Sequence, residues 1–263
     1  MRPATDEFGW LPVSSQPVTV EAASAATATT TSIALVLSAV DRWTERRAPH
    51  HLAWAVAFSA FATGSAALWL GAVLGWTQPV FKVFYLSGAI LTVPLTALGS
   101  VHLSASERTA RIARNIVTLF CAFSAGVMTA APMSSPEDID GLPRGSDVFG
   151  ALPRVLAAVA SGGGTLVIVA TSTRAIVRAL RSRFEGRSAV VGGNALVLAG
   201  VVTLSASGLL NSVLGEMTAF AVTLAAGALL LFAGFTTATR SGRGGQPRGA
   251  SAPGVPNPAE PDA

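Results

Sequence analysis

Residues 79–104 read PVFKVFYLSGAILTVPLTALGSVHLS, and this apolar run decides the class of fold. A transmembrane helix needs about 20 predominantly apolar residues, so the run is long enough to cross a bilayer. It holds Lys82, the only lysine of the chain, and Tyr85, the only tyrosine, and His102 lies near its end. Such side chains are costly in hydrocarbon, so we expect this helix to face protein more than lipid.

Pro94 lies well inside the same run. Proline has no backbone N–H, so the carbonyl of Ile90, one helical turn earlier, loses its usual donor. Sharp bends in helices are commonly found at prolines. The sequence therefore predicts a bend in this helix at Pro94.

The composition of the whole chain indicates a polytopic membrane protein. Of its 263 residues 51% are apolar and 12% are charged, whereas soluble proteins average about 25% charged residues. The net charge of +4 is carried by short basic groups between apolar runs. That distribution is a topology signal and offers no basic face for nucleic acid. Cys121 is the only cysteine, so the chain forms no internal disulfide.

We predict an all-α fold with a short extracytoplasmic tail (residues 1–17), a seven-helix transmembrane bundle (18–236) and a disordered cytoplasmic tail (237–263). The apolar runs place helices one to seven at about 18–40, 52–76, 79–104, 110–131, 151–176, 190–210 and 217–236.

The basic residues predict the orientation of the bundle. Fourteen of the 18 lie in the loops after helices one, three and five and in the tail, and four lie on the opposite side. Cytoplasmic loops carry the excess of Lys and Arg. We therefore expect a plasma-membrane protein with its amino terminus outside and its carboxyl terminus inside.

Helices five to seven resemble helices one to three in sequence. SAALWLGAVLG at 65–75 matches SASGLLNSVLG at 205–215 at six of eleven positions. Both triplets would begin outside, which suits a parallel 3+1+3 repeat. Small apolar residues also align by chance, so both interpretations remain open.

The stretch 51–104 also carries a family resemblance. It contains AWAVAF at 53–58, GSAALWLGAVLGW at 64–76 and FKVFYL at 81–86, followed by Pro94. These segments are similar to a group of uncharacterised seven-helix integral membrane proteins of actinobacteria. The resemblance implies the seven-helix architecture and implies no activity, cofactor or site residue.

Several kinds of chemistry find no support in the sequence. Helix seven has no lysine to hold retinal, and no predicted helix has a charged residue or histidine in its middle third, where ion-coupled transporters keep one. No HExxH, GxSxG or Cys–His pattern is present. His50, His51 and His102 fall on one side of the membrane, where interfacial histidines are favoured over a metal site. We expect no enzyme, no cofactor and no metal.

The sequence offers one candidate ligand or partner site at the outer end of helix three. Lys82 and Tyr85 are helical neighbours, and Asn211 and Glu216 lie at the same predicted depth near the turn between helices six and seven. These four residues would form a polar cluster if helices three and six are adjacent. In the simpler alternative Lys82 reaches the lipid phosphates and Tyr85 belongs to the aromatic belt.

A second set of residues has small or polar side chains and suits either helix packing or a substrate path. Its members are Pro94, Gly162, Gly163, Gly164, Thr203 and Ser207. Two functions follow. The favoured one is a non-enzymatic sensor, scaffold or binding protein for a lipid, a protein partner or a second copy of the chain. The other is a transporter of a small solute or lipid built on the 3+1+3 repeat.

Overall fold

The computed structural model of the chain describes residues 20–136, 143–181, 187–214 and 217–240. Within these ranges seven helices are long and apolar enough to cross a membrane, which confirms the predicted all-α fold class. Helices one to seven run Val20–Arg46, Pro49–Leu74, Gln78–Ser104, Glu107–Ala130, Ala151–Arg181, Arg187–Leu214 and Met217–Arg240. A single helical turn, Gly145–Val148, precedes helix five.

Several helices extend beyond their apolar runs. Helix one continues through Asp41 and Arg42 to Arg46, and helix five continues to Arg181. Charged residues are costly in hydrocarbon, so the apolar run ends where the hydrocarbon ends. The helix itself can continue into the polar interface. Helix two begins with Pro49 in its first turn, where a missing backbone N–H is harmless.

Six of the helices form a closed ring. Helix one packs on two, two on three, three on five, five on six, six on seven, and seven on one. Helix four lies outside this ring against helices three and five. Only Ala110, Ser124 and Met128 of helix four are buried.

Glycines bring neighbouring helices of the ring close together. A Cβ on Gly64 of helix two would lie 2.9 Å from the Cα of Gly88 in helix three. A Cβ on Gly200 of helix six would lie 3.1 Å from the carbonyl oxygen of Gly227 in helix seven. Small residues at helix contacts are typical of membrane bundles, where close backbone packing supplies much of the association energy.

Helix three changes its winding near Pro94. It is α-helical over Gln78–Phe84, π-helical over Tyr85–Leu91 and α-helical again from Thr92. Proline denies a donor to the carbonyl one turn earlier. In an α-helix the carbonyl that loses its donor to Pro94 is that of Ile90, and in a π-helix it is that of Ala89. The bend itself stays a prediction.

Two hydroxyl groups donate to carbonyls of this irregular stretch. Thr92 Oγ1 lies 2.7 Å from the carbonyl oxygen of Ser87. Ser161 Oγ, on helix five, lies 3.3 Å from the carbonyl oxygen of Ala89. Side chains and neighbouring helices commonly satisfy backbone groups freed by a proline in a membrane helix. The contact of Ser161 also links helix five to helix three.

Candidate binding cavity

A cavity of about 360 Å³ lies between helices two, three, five, six and seven. It is at the end of the bundle that carries Arg46, Arg181 and Arg187, which we call the basic end. Thr96 lines it eight residues before the end of helix three, and Val197 ten residues after the start of helix six. At about 1.5 Å per residue the cavity reaches about 12–15 Å inward, roughly half of a hydrocarbon core.

Small residues on the facing helices explain why this space is not filled. Ser100 of helix three, Ala175 and Ala179 of helix five and Gly193 of helix six all line the cavity. Protein interiors are otherwise packed nearly as densely as organic crystals. A void therefore arises where several short side chains face one another.

Aromatic side chains form the wall on the side of helices two and seven. The Trp54 and Phe235 rings meet edge to face with centroids 5.4 Å apart, and Phe58 lies 5.6 Å from Phe235. A Cβ on Gly99 of helix three would overlap the Trp54 indole. The indole therefore keeps its place because residue 99 has no side chain.

Helix five supplies the basic side of the cavity. Thr171, Arg174, Ala175 and Arg178 line it at helical spacing, so they occupy one face of this helix. Arg174 has no hydrogen-bond or ion-pair partner among the described residues. Arg174 and Arg178 are the charged members of the lining in the described part of the chain.

The neutral polar groups of the lining divide into two kinds. Thr96 and Thr171 donate their hydroxyl protons to carbonyls of their own helices, at 2.8 Å to Thr92 and 2.9 Å to Val167. Asn194 likewise donates from Nδ2 to the carbonyl of Val190 at 2.9 Å. Ser172 differs, since it is only 5% exposed and forms no hydrogen bond within the described ranges. A hydroxyl on the cavity wall whose proton is not used within the protein can bind a ligand group.

The opposite end of the bundle is filled by aromatic rings, and we call it the aromatic end. Phe81 is fully buried, with its ring centroid 5.5 Å from Trp76 and 5.6 Å from Phe149. Phe84 adds an edge contact to Phe220 of helix seven at 6.2 Å. These rings belong to the largest apolar cluster of the described residues. The cavity is thus confined to the basic half of the bundle.

The structure gives Lys82 a partner that the sequence did not predict. Its Nζ lies 2.9 Å from the carbonyl oxygen of Ala131 and 3.3 Å from that of Thr129, at the end of helix four. Tyr85 packs on Phe149, with ring centroids 5.1 Å apart. The side chain of Asn211, and Glu216 altogether, lie outside what the structure describes. The four-residue cluster therefore stays a prediction.

The residues predicted for packing or a path have different surroundings. Gly164 is buried, and a Cβ there would lie 2.8 Å from Cγ1 of Val93 in helix three, whereas Gly162 and Gly163 are exposed with nothing within 4 Å. Pro94 is buried in the bundle.

Thr203 donates its hydroxyl proton to the carbonyl of Ala199 at 2.8 Å. The side chain of Ser207 lies outside the described part. Of the residues predicted for packing or a path, the three glycines, Pro94 and Thr203 do not line the cavity.

The histidines lie close to the cavity wall. The rings of His50 and His51 are 4.2 Å apart, and His50 is 5.4 Å from Trp54. In the described ranges no three His, Cys, Asp or Glu side chains are placed to hold a metal ion.

The outer faces of the helices define the class of protein. Leu119 and Leu166, which point away from the bundle, are 73% and 72% exposed. Such exposure suits lipid, and with seven helices of membrane-spanning length it marks a multi-pass membrane protein. No family model, curated protein or solved structure matches the chain.

Proposed function

We propose that this is a non-enzymatic membrane protein that binds an amphipathic ligand in the cavity at the basic end. The observation that carries the proposal is the meeting of five helices around an unfilled space with apolar and polar walls. Ligand pockets typically measure about 300–1,000 Å³ and combine apolar lining with a few polar groups. A cavity of about 360 Å³ fits the lower part of that range.

We propose further that the basic end faces the cytoplasm and that the membrane is the plasma membrane. The arginines of the loops after helices one, three and five support this orientation. A ligand would then enter from the cytoplasmic leaflet or the cytoplasm. Binding of this ligand would suit a sensor, because a ligand in the cavity would contact five of the seven helices.

A transporter is the second candidate, and the order of the ring supports it. In a repeat of helices one to three by helices five to seven, each triplet would contact the other through its last and first helices. Both contacts are present, because helix three packs on helix five and helix seven packs on helix one. Transporters built on repeats place their substrate between the repeats and open alternately to either side. Transport would require the aromatic end to open.

Native mass spectrometry of the purified protein with single-chain amphiphiles tests the binding proposal. Ala175→Phe would fill the cavity, whereas Ala170→Phe places the same ring on the exposed face of the same helix. We expect one bound amphiphile in the wild type and in Ala170→Phe, and none in Ala175→Phe. Equal binding by all three proteins would show that the cavity is not the site.

Reconstitution into liposomes separates the two candidates. A binding protein should leave the amphiphile's rate of passage across the bilayer unchanged. A transporter should accelerate it, and Ala175→Phe should abolish that acceleration.

A further inference from the structure

We infer that the ligand of this cavity is a single-chain amphiphile with an anionic head, a carboxylate or a phosphate, bound at Arg174. The inference rests on the proposed function and adds the chemical class of the ligand. It draws on the charge of the lining, the hydrogen-bond donors that remain available and the shape of the space.

The charge of the lining selects the sign of the head. Arginines are the charged residues that line the cavity in the described ranges, and both lie on one face of helix five. Arg174 has no anionic partner among the described residues. Arg174 is exposed and so remains accessible, and the planar donors of a guanidinium match a carboxylate or phosphate. A cationic head would meet repulsion.

The available donors agree with an anionic head. Thr96 and Thr171 use their protons within their own helices, and Asn194 uses one N–H in the same way. The donors left include the guanidinium of Arg174, the hydroxyl of Ser172, the second N–H of Asn194 and the indole N–H of Trp54. An oxyanion accepts several hydrogen bonds and donates none, so it suits such a set.

The apolar walls suit one hydrocarbon chain. Phe58, Val197 and Leu231 contribute apolar side chains to the lining, and each lies nine or ten residues from the end of its helix at the basic end. A space of about 360 Å³ is small among ligand pockets. It therefore favours one chain over the two chains of an ordinary phospholipid, with the head held at Arg174 and the chain against the apolar lining.

Binding of a matched ligand series to the full-length protein in detergent tests the inference. The series keeps one acyl chain and changes only the head, as a fatty acid, a lysophosphatidic acid, a fatty alcohol and a fatty amine, with inorganic phosphate as a probe without a chain. We expect the two anionic amphiphiles to bind at least roughly tenfold more tightly than the alcohol, as one charge-assisted hydrogen bond implies. The amine and inorganic phosphate should not bind measurably. The stronger of the two anionic ligands indicates whether a free fatty acid or a phosphate-bearing lipid is the source.

Two arginine variants provide the matched control. Arg174→Gln should weaken the anionic amphiphiles by roughly tenfold to hundredfold and leave the alcohol unchanged. Arg181→Gln removes the same charge from the same helix outside the cavity lining, and it should leave all affinities unchanged.

The outcomes separate this inference from the proposed function. If the alcohol binds as tightly as the acid and Ala175→Phe abolishes both, the cavity is a binding site but the anionic class is wrong. If Arg174→Gln and Arg181→Gln weaken the acid equally, the head is not held at Arg174. If no amphiphile binds, both proposals fall.

Discussion

The ammonium group of Lys82 lies 2.9 Å from the carbonyl oxygen of Ala131, just beyond the end of helix four. The last carbonyls of a helix have no amide partner and form the negative end of its dipole. Lys82 supplies donors and a positive charge at this place. The only lysine of the chain is half-buried and hydrogen-bonded to backbone carbonyls, and it ties the peripheral helix four to helix three.

Replacing Lys82 with methionine should destabilise the protein by about 1–3 kcal/mol, because the carbonyls of Thr129 and Ala131 lose a charged donor. Thermal unfolding in detergent measures the change. Arg111→Gln is the control, since it breaks only an exposed pair with Glu107 at 4.0 Å, worth at most about 1 kcal/mol. Equal shifts in the two variants would show that Lys82 is a surface charge like any other.

Two glycines of helix five should respond oppositely to alanine. Gly164→Ala places a methyl group 2.8 Å from Val93 Cγ1 and 3.0 Å from its backbone carbon, so we expect a loss of about 1–3 kcal/mol. Gly162→Ala meets nothing within 4 Å and should be neutral or stabilising by up to about 1 kcal/mol. Unfolding midpoints of the two variants decide the matter, and a neutral Gly164→Ala would contradict the close contact of helices three and five.

The hydroxyl of Ser161 should stabilise the π-helical part of helix three. Ser161→Ala removes its donation to the Ala89 carbonyl and should cost about 0.5–1.5 kcal/mol. Ser59→Ala removes a hydroxyl that donates only to the carbonyl of Ala55 in its own helix, so its cost should be smaller. If the two variants unfold at the same temperature, the contact between helices five and three contributes nothing.

The orientation of the bundle is tested by cysteine labelling in a Cys121→Ala background. An impermeant thiol reagent should label Ser135→Cys in intact cells, and it should label Ser251→Cys only after lysis, because the basic loops predict a cytoplasmic carboxyl terminus. The reverse pattern would overturn the orientation and would place the cavity on the outer side.

The seven helices could be predicted because each contains a long apolar run. Polar groups are costly in hydrocarbon, so such runs are easily recognised in the sequence. Their ends could not be placed as well. Asp41 and Arg42 close the apolar run of helix one, yet the helix continues to Arg46. Hydropathy reports the membrane boundary and not the last hydrogen-bonded turn.

The candidate site was harder to predict, because it depends on which helices are neighbours. Arg174 and Ser172 looked like ordinary residues at the end of helix five, and only the fold brings them to a cavity with Trp54. The predicted polar cluster depends in the same way on which helices are neighbours, and it stays a prediction because the side chain of Asn211, and Glu216 altogether, lie outside the described part of the chain. Gly99 also gives no signal in the sequence, although the Trp54 indole lies where its side chain would be.

Quenching of Trp54 fluorescence by an amphiphile with a brominated chain tests the central claim most directly, because this indole lines the cavity. We predict saturable quenching in the wild type and in Ala170→Phe. It should be largely lost in Trp54→Phe, which keeps an aromatic ring but removes the fluorophore, and in Ala175→Phe, which fills the space. Saturable quenching of equal size in all four proteins would contradict a ligand site in this cavity.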